Sequence, residues 1–326
     1  MNAQTRTQGA LKMERLSTNP TLPAVGFLGP GAMGSGMVLS LLEAGYHVGV
    51  WARDPLKLRP LVEAGAAAPA SVQDVVRSSD IVLGCLLDSA VIRAVYLGPG
   101  GIAESARPGQ LFAEHATFDP GLAVEISHAL AENGAAFADA PVSGGPRGAL
   151  EGTLVTMIGA DGPVFESLAP ILHSYCSRLV HVGGVGSGLK VKLINQLLVS
   201  AHAVVAAEAA ALVRSNGIDP EVAHSALMGG WAASAMLDMQ LPAACAGDFD
   251  DGGASIGGLI EVQRLVANLM NEAGVDSTLL GPIRGAFGAA VDAGHAGHSL
   301  AALVTNYGAN GPAAGSALSG PREDEQ

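Results

Sequence analysis

Residues 24–37 read Ala24-Val25-Gly26-Phe27-Leu28-Gly29-Pro30-Gly31-Ala32-Met33-Gly34-Ser35-Gly36-Met37. The opening apolar run suits a short parallel strand buried on both faces. Gly29, Gly31 and Gly34 then make G-x-G-x-x-G, and a helical pattern runs from Ala32 to Ala44 before Gly45, where a helix stops. Lying between a strand and a helix is what gives this glycine pattern chemical meaning. The first glycine permits a tight turn, the second lets a pyrophosphate approach the backbone, and the third lets the helix lie against the strand. The helix that opens at Ala32 and Met33 adds free N–H groups and a positive dipole end, which suits a dinucleotide.

The same rhythm continues downstream. His47–Ala52 is a second strand, and Asp54-Pro55 opens a helix with proline in its first turn. Ser71 and Asp74 have capping-box spacing, and strands follow at Asp80–Leu86, Leu111–Glu114, Ala136–Ala140 and Leu154–Gly159. Strand and helix in alternation imply right-handed crossovers and a mostly parallel α/β sheet. After Gly186 the pattern is helical, at 188–214, 220–227, 257–272 and 282–293. The glycines at 183, 184, 186 and 188 mark the junction. The expected organisation is a flexible tail at 1–21, a dinucleotide-binding domain at 22–184, a helical substrate and oligomerisation domain at 185–318, and a tail at 319–326.

Composition narrows the partners. The chain has 326 residues, 49% of them hydrophobic and 14% charged, with a formal charge of −13. Apolar content of this order excludes a disordered chain, and the acidic balance argues against a nucleic-acid partner. Cys85, Cys176 and Cys245 are widely spaced and show neither a metal pattern nor a disulfide framework, so a reducing, cytoplasmic location is expected. His295 and His298 have no carboxylate or cysteine at matching spacing, so no metal is expected there. Residues Met1 to Pro20 contain no apolar run of signal-peptide kind. Leu197–Val213 is the longest apolar stretch, but it carries His202 and Glu208 and is Ala-rich nearly all round. A helix buried between protein layers is expected there, with no membrane partner.

The end of the second strand bears on the cofactor. NAD sites place an acid about 20 residues past the glycines, on the ribose 2′-hydroxyl. Ala52 stands there, followed by Arg53, whose fork suits a 2′-phosphate, and Asp54 comes one position later. NADP is the expected cofactor, with NAD the alternative.

Four segments in order, across residues 24–307, resemble the β-hydroxyacid dehydrogenase family, which includes 3-hydroxyisobutyrate dehydrogenases and tartronate semialdehyde reductases. They are the glycine turn, Asp139-Ala140-Pro141-Val142-Ser143-Gly144-Gly145, the G-x-G-x-x-x-K-x-x-N run from Gly186 to Asn195, and a weaker stretch at 258–274. The resemblance implies a Rossmann-type doubly wound sheet followed by an all-helical domain. It further implies NAD(P)-dependent oxidation of a small 3-hydroxy acid, and so a carboxylate substrate, while the apolar helical half itself suggests a homodimer or homotetramer. It makes Ser143, Gly144 and Gly145 the substrate grip, with Lys192 and Asn195 catalytic. Gly29, Gly31, Ala32, Met33, Gly34, Leu86, Leu87 and Thr117 become cofactor contacts, and Ser234 fits a cleft position. Alcohol oxidation requires a base for the hydroxyl proton and a clamp on the acid group. A lysine serves as that base only where its pKa is lowered, as by burial. Asn195 shares a helical face with Lys192, whereas Lys190 points elsewhere. Arg147 reads either as a substrate contact or as a surface charge.

The chain departs from the family pattern in three places. Glu261-Val262 stands where a Lys-Asp pair is usual, Ser299-Leu300 where Asp-Phe is usual, and Glu114-His115-Ala116-Thr117 replaces Asp-x-Ser-Thr. The alternatives are an imine reductase-like enzyme and a non-catalytic dinucleotide-binding module. Relatives of both kinds usually lack the lysine at position 192.

Overall fold

The computed structural model describes residues 22–250 and 254–308. The tails expected at 1–21 and 319–326 lie outside those residues, as does the end of the helical domain beyond 308. The first half runs β1 (Val25–Leu28), α1 (Ala32–Glu43), β2 (Val48–Trp51), a 3₁₀ turn (Pro55–Leu58), α2 (Arg59–Glu63), α3 (Val72–Ser78), β3 (Ile81–Gly84), α4 (Ser89–Leu97) and α5 (Ile102–Ser105). It continues with β4 (Leu111–Glu114), α6 (Pro120–Ala131), β5 (Ala136–Asp139), β6 (Val142–Ser143), α7 (Gly145–Glu151), β7 (Leu154–Gly159), α8 (Gly162–Leu172) and β8 (Cys176–Gly183). Then come helices α9 (Ser187–Ser215), α10 (Pro220–Met228), α11 (Ala235–Ala246), α12 (Ile256–Glu272) and α13 (Leu280–Asp292), and a 3₁₀ segment (Leu300–Tyr307).

The sheet is eight-stranded, in the order β2-β1-β3-β4-β5-β7-β6 with β8 on the other side of β7. β2, β1, β3, β4 and β5 are parallel, as the alternation of strand and helix predicts. Successive strand residues face opposite sides, so Phe27, Leu83, Ala113 and Ala138 enter one core with Met37 and Leu41 of α1. Leu28, Val82, Phe112 and Phe137 enter the other, with Tyr96 of α4 and Leu122 and Ile126 of α6.

The far edge differs from expectation. β5 and β6 are one bent run lying antiparallel to β7, with Asp139 opposite Gly159 and Val142 opposite Thr156. Neither β6 nor β8 stands out in the sequence, because β6 is two residues long and β8 is an edge strand with Ser177, Arg178 and His181 exposed. The turn expected to open a helix at Asp54 is 3₁₀, with Asp54 accepting from Leu56 N.

The helical half packs around α9. Ala203, Ala206, Ala207 and Ala210 of α9 meet Leu241 of α11 and Phe287 of α13. Small residues there let the neighbouring helices come close. α11 has no periodic apolar face and contains Pro242, so its sequence does not announce a helix; contact with α9 holds it. Within this chain α9 is not buried all round, which corrects the expectation for 197–213. Ile194, Leu198, Val205 and Leu212, spaced one or two turns apart, are exposed, Leu212 by 65%. Among the described residues no element covers that face.

Candidate active site

The three glycines of the turn stand in different surroundings. Gly29 has φ +80°, and a Cβ there would fall 2.7 Å from the Cys85 carbonyl oxygen. Gly34 lies against the strand, where a Cβ would stand 2.7 Å from Gly29 O and 2.8 Å from the Phe27 ring. Gly31 has nothing within 4 Å of its Cβ position and caps α1 without a side chain. The turn therefore has open space over backbone N–H groups at a helix start, as a pyrophosphate requires. Ala32 is exposed and Met33 half-buried at the mouth of this turn. Gly36, one turn along α1, lets the Ala149-Leu150 backbone of α7 come within 3 Å of its Cβ position, bringing the Ser143–Gly145 segment's helix against the dinucleotide helix.

Two adjacent buried side chains organise the loop after β4. The Oε1 of Glu114 accepts from Leu86 N at 3.0 Å and from Ala116 N at 3.1 Å, while Tyr96 Oη donates to Oε2 at 3.4 Å. Gly84 leaves the room this carboxyl occupies. Glu114 thus ties the Leu86 loop to the loop carrying Thr117, and burial raises its pKa to about 7. His115 turns the other way, donating from Nδ1 to Ala140 O at 2.8 Å and accepting at Nε2 from Tyr175 Oη at 2.9 Å. Burial lowers its pKa to about 4, so it stays neutral near pH 7. Leu86 is half-buried and Leu87 exposed, and Thr117 is half-buried while Asp119, not Thr117, caps α6.

Asp139 ends β5 fully buried, accepting from Gly186 N at 2.6 Å and Leu189 N at 2.7 Å, and burial raises its pKa to about 7. Ser143 is half-buried, and Gly144 and Gly145 have φ +132° and +68°, which turn the chain into α7. Lys192 lies one turn beyond Leu189 and is 8% exposed, whereas Lys190 is exposed. Burial lowers the Lys192 pKa from 10.5 to about 8. The described residues give its amine no hydrogen-bond partner. It is not among the sealed unpaired atoms, which are Gln240 Oε1, Gln263 Oε1 and Ser299 Oγ, so the amine tip reaches accessible space. Asn195 Nδ2 donates to Gln196 Oε1 at 3.0 Å, leaving Asn195 Oδ1 to accept.

Residues 24–183 match the family described as the NAD binding domain of 6-phosphogluconate dehydrogenase, and residues 186–307 match that described as NAD-binding of NADP-dependent 3-hydroxyisobutyrate dehydrogenase. An uncharacterised oxidoreductase of Synechocystis is 36% identical over 70% of this chain and 79% of its own length. The L-threonate dehydrogenase of Cupriavidus necator is 34% identical over 69% of this chain and 76% of its own. The crystal structure of a 3-hydroxyisobutyrate dehydrogenase from Salmonella typhimurium is similar with a TM-score of 0.78 and 28% identity, covering 86% of this chain and 98% of that one. The chain belongs to the β-hydroxyacid dehydrogenase family. As such it is an NAD(P)-dependent oxidoreductase.

Several β-hydroxyacid dehydrogenase departures now have a structural setting. Glu261 is held by Arg264, with Nε at 2.9 Å from Oε2 and NH2 at 2.5 Å from Oε1, and this pairing lowers its pKa. An arginine-neutralised carboxylate repels an anionic substrate less than the sequence alone suggests. Ser299 is buried, its hydroxyl unpaired. Arg147 pairs with Glu151 at 2.7 Å on an exposed surface, which favours a surface charge. Ser234 caps α11 by accepting from Leu237 N. His295 and His298 bond each other through Nδ1 at 3.0 Å, and no cluster of metal ligands exists among the described residues. The buried trio Glu114, His115 and Asp139 lies in segments that the sequence singles out, but the sequence gives none of the three a role. Its one signal is that ionisable residues end or directly follow apolar strands in a chain only 14% charged.

Proposed function

We propose that the enzyme oxidises a small 3-hydroxy acid reversibly, with Lys192 taking the hydroxyl proton in oxidation and returning it in reduction. The observation that carries this reading is Lys192 itself, its stem buried and its amine without a hydrogen-bond partner among the described residues; burial lowers its pKa to about 8, where a lysine serves as either base or acid. The glycine turn fits the dinucleotide, because the Gly31 position is open while those of Gly29 and Gly34 are filled. A bound nicotinamide supplies the hydride acceptor or donor. Ser143 offers a hydroxyl, and Gly144 and Gly145 offer backbone N–H groups, to the substrate carboxylate. The free Oδ1 of Asn195 orients the ammonium or the substrate hydroxyl. Leu86, Leu87 and Thr117 stand beside the ring, in loops tied together by Glu114.

NADP is the proposed cofactor. Arg53 is exposed at the end of β2 and in no ion pair among the described residues, and Asp54 spends its carboxylate on Leu56 N. Arg53→Ala should weaken NADP binding about tenfold or more while leaving NAD binding nearly unchanged, as for loss of one charge-assisted contact. Residues 22–184 are proposed to bind the dinucleotide, and 185–318 to complete the substrate site and the assembly. The uncovered apolar face of α9 supports a homodimer or homotetramer, and the three free cysteines support a cytoplasmic location. Absorbance at 340 nm with L-threonate, 3-hydroxyisobutyrate and a cyclic imine tests the activity. Turnover of a hydroxy acid, lost by about 10²–10⁴-fold in Lys192→Ala, is expected. Imine reduction that persists in Lys192→Ala would sink the reading.

A further inference from the structure

We propose that Asp139 is a positioning residue that sets where Lys192 stands relative to the Ser143–Gly145 segment; this rests on the reading of Lys192 given above. α9 is 29 residues long, yet its cap residue Gly186 has no side chain to receive the helix's free N–H groups. Asp139 does that work from another strand. Its two carboxylate oxygens take Gly186 N and Leu189 N at 2.6 and 2.7 Å, across 47 and 50 residues of sequence. A carboxylate at a helix N-terminus also meets the favourable end of the dipole.

The junction leaves no slack. A Cβ at Gly159 would fall 2.4 Å from Asp139 Oδ1, and one at Gly188 would fall 2.8 Å from Asp139 O and 2.4 Å from Met157 O. The seat is therefore backbone against backbone, with a single carboxylate as the bolt. On the other side of Asp139 the chain runs directly to Ser143, pinned against β7 by the pairs Val142–Thr156 and Ser143–Val155. Ala140 N bonds Glu114 O and Ala140 O accepts from His115, so this run is also held from β4. On the helix side, Lys192 is one turn past Leu189. The route from the proposed acid grip to the proposed base thus passes through Asp139, over sheet and helix backbone. Losing the bolt frees the first turn of α9 to shift. A displacement of about 1 Å at a reacting group costs roughly 100-fold in rate.

A plain capping role would lower stability and do nothing else, so the test separates the two. The chain has four lysines, at 12, 57, 190 and 192. Trace acetylation with acetic anhydride over pH 6–11, read by peptide mass spectrometry, gives the titration of Lys192 with exposed Lys190 as internal standard. In Asp139→Asn the Lys192 midpoint should rise by about one pH unit or more as the amine gains water. Turnover should fall roughly 10–100-fold with the dinucleotide Kd within about twofold of wild type. Asp139→Glu, which keeps the charge but has no room for the added methylene, should behave the same way. A lowered Tm with the Lys192 midpoint and kcat unchanged overturns the proposal, and so does failure of both variants to fold. Lys192→Ala with full turnover would instead remove the catalytic reading of Lys192. If wild type turns over none of the acids, the acetylation profiles alone decide for or against Asp139.

Discussion

Burial of Lys192 makes a quantitative demand on the pH dependence of the reaction. The amine falls from 10.5 to about 8 through loss of hydration, with no carboxylate partner among the described residues to oppose it. That change favours the neutral amine by about 3 kcal/mol, so its population at pH 7 rises by roughly two orders of magnitude, to about a tenth of the molecules. In the oxidative direction kcat/KM should therefore climb about tenfold per pH unit below 8 and level off above it. In the reductive direction it should fall through the same value. Lys192→Arg keeps a cation that never deprotonates in this range, so its residual rate should lose the limb. Stability gives an independent reading. The folded value lies below the unfolded one, so the native state binds fewer protons between pH 8 and 10.5, and wild-type stability rises with pH across that window. Lys192→Met should be more stable than wild type by up to about 3 kcal/mol at pH 7, with the gain fading by pH 10.5. The assays are initial rates at 340 nm from pH 6 to 10 and urea unfolding over the same range. A wild-type limb near 10, or one near 8 that survives in Lys192→Arg, would falsify the argument.

Four further outcomes are expected. Gly31→Ala meets nothing within 4 Å and should keep the wild-type Tm while weakening dinucleotide affinity, whereas Gly34→Ala collides with Gly29 O at 2.7 Å and should lower Tm itself; equal Tm losses would sink the distinction. Glu114→Ala leaves Leu86 N and Ala116 N unpaired and should cost about 1–3 kcal/mol each in stability or dinucleotide binding, with Glu114→Gln restoring both bonds through Oε1. Because the Glu114 carboxyl rises from 4.5 to about 7 on folding, wild type should lose stability relative to Glu114→Gln, by about 3 kcal/mol at most, as pH rises from 4.5 through 7; thermal melts across that range read it. Leu198→Glu with Val205→Glu charges the bare face of α9 and should halve or quarter the mass seen by light scattering; an unchanged mass means the face is not an interface.

Much of the fold was legible because it rests on local rules. Ala24–Leu28 is apolar without interruption and is followed by glycines at the spacing a strand–turn–helix demands, and β1 and α1 lie there to within a residue. Elements that failed these rules were held by distant partners instead. β8 is half-polar because it is an edge strand, and α11 has no apolar stripe because Gln240 lies on its buried face and Met239 on its exposed one. The uncovered side of α9 could not be read either, since alanines and leucines spread around a helix look the same whether the partner is this chain or another.

The candidate site divides in the same way. Residue order placed Lys192 and Asn195 on one helix, Ser143 beside two glycines, and a phosphate-accepting turn after the first strand, because periodicity and backbone freedom act over a few residues. The state of those groups came from contacts between residues far apart in the chain. Lys192 is only 8% exposed, and its pKa is lowered, because the folded chain withdraws water from its stem. Asp139 meets α9 across 47 residues, and Tyr175 meets His115 across 60. Desolvation and hydrogen bonding depend on what surrounds a group in space, so the folded chain, and not the order of its letters, makes those side chains fit for chemistry.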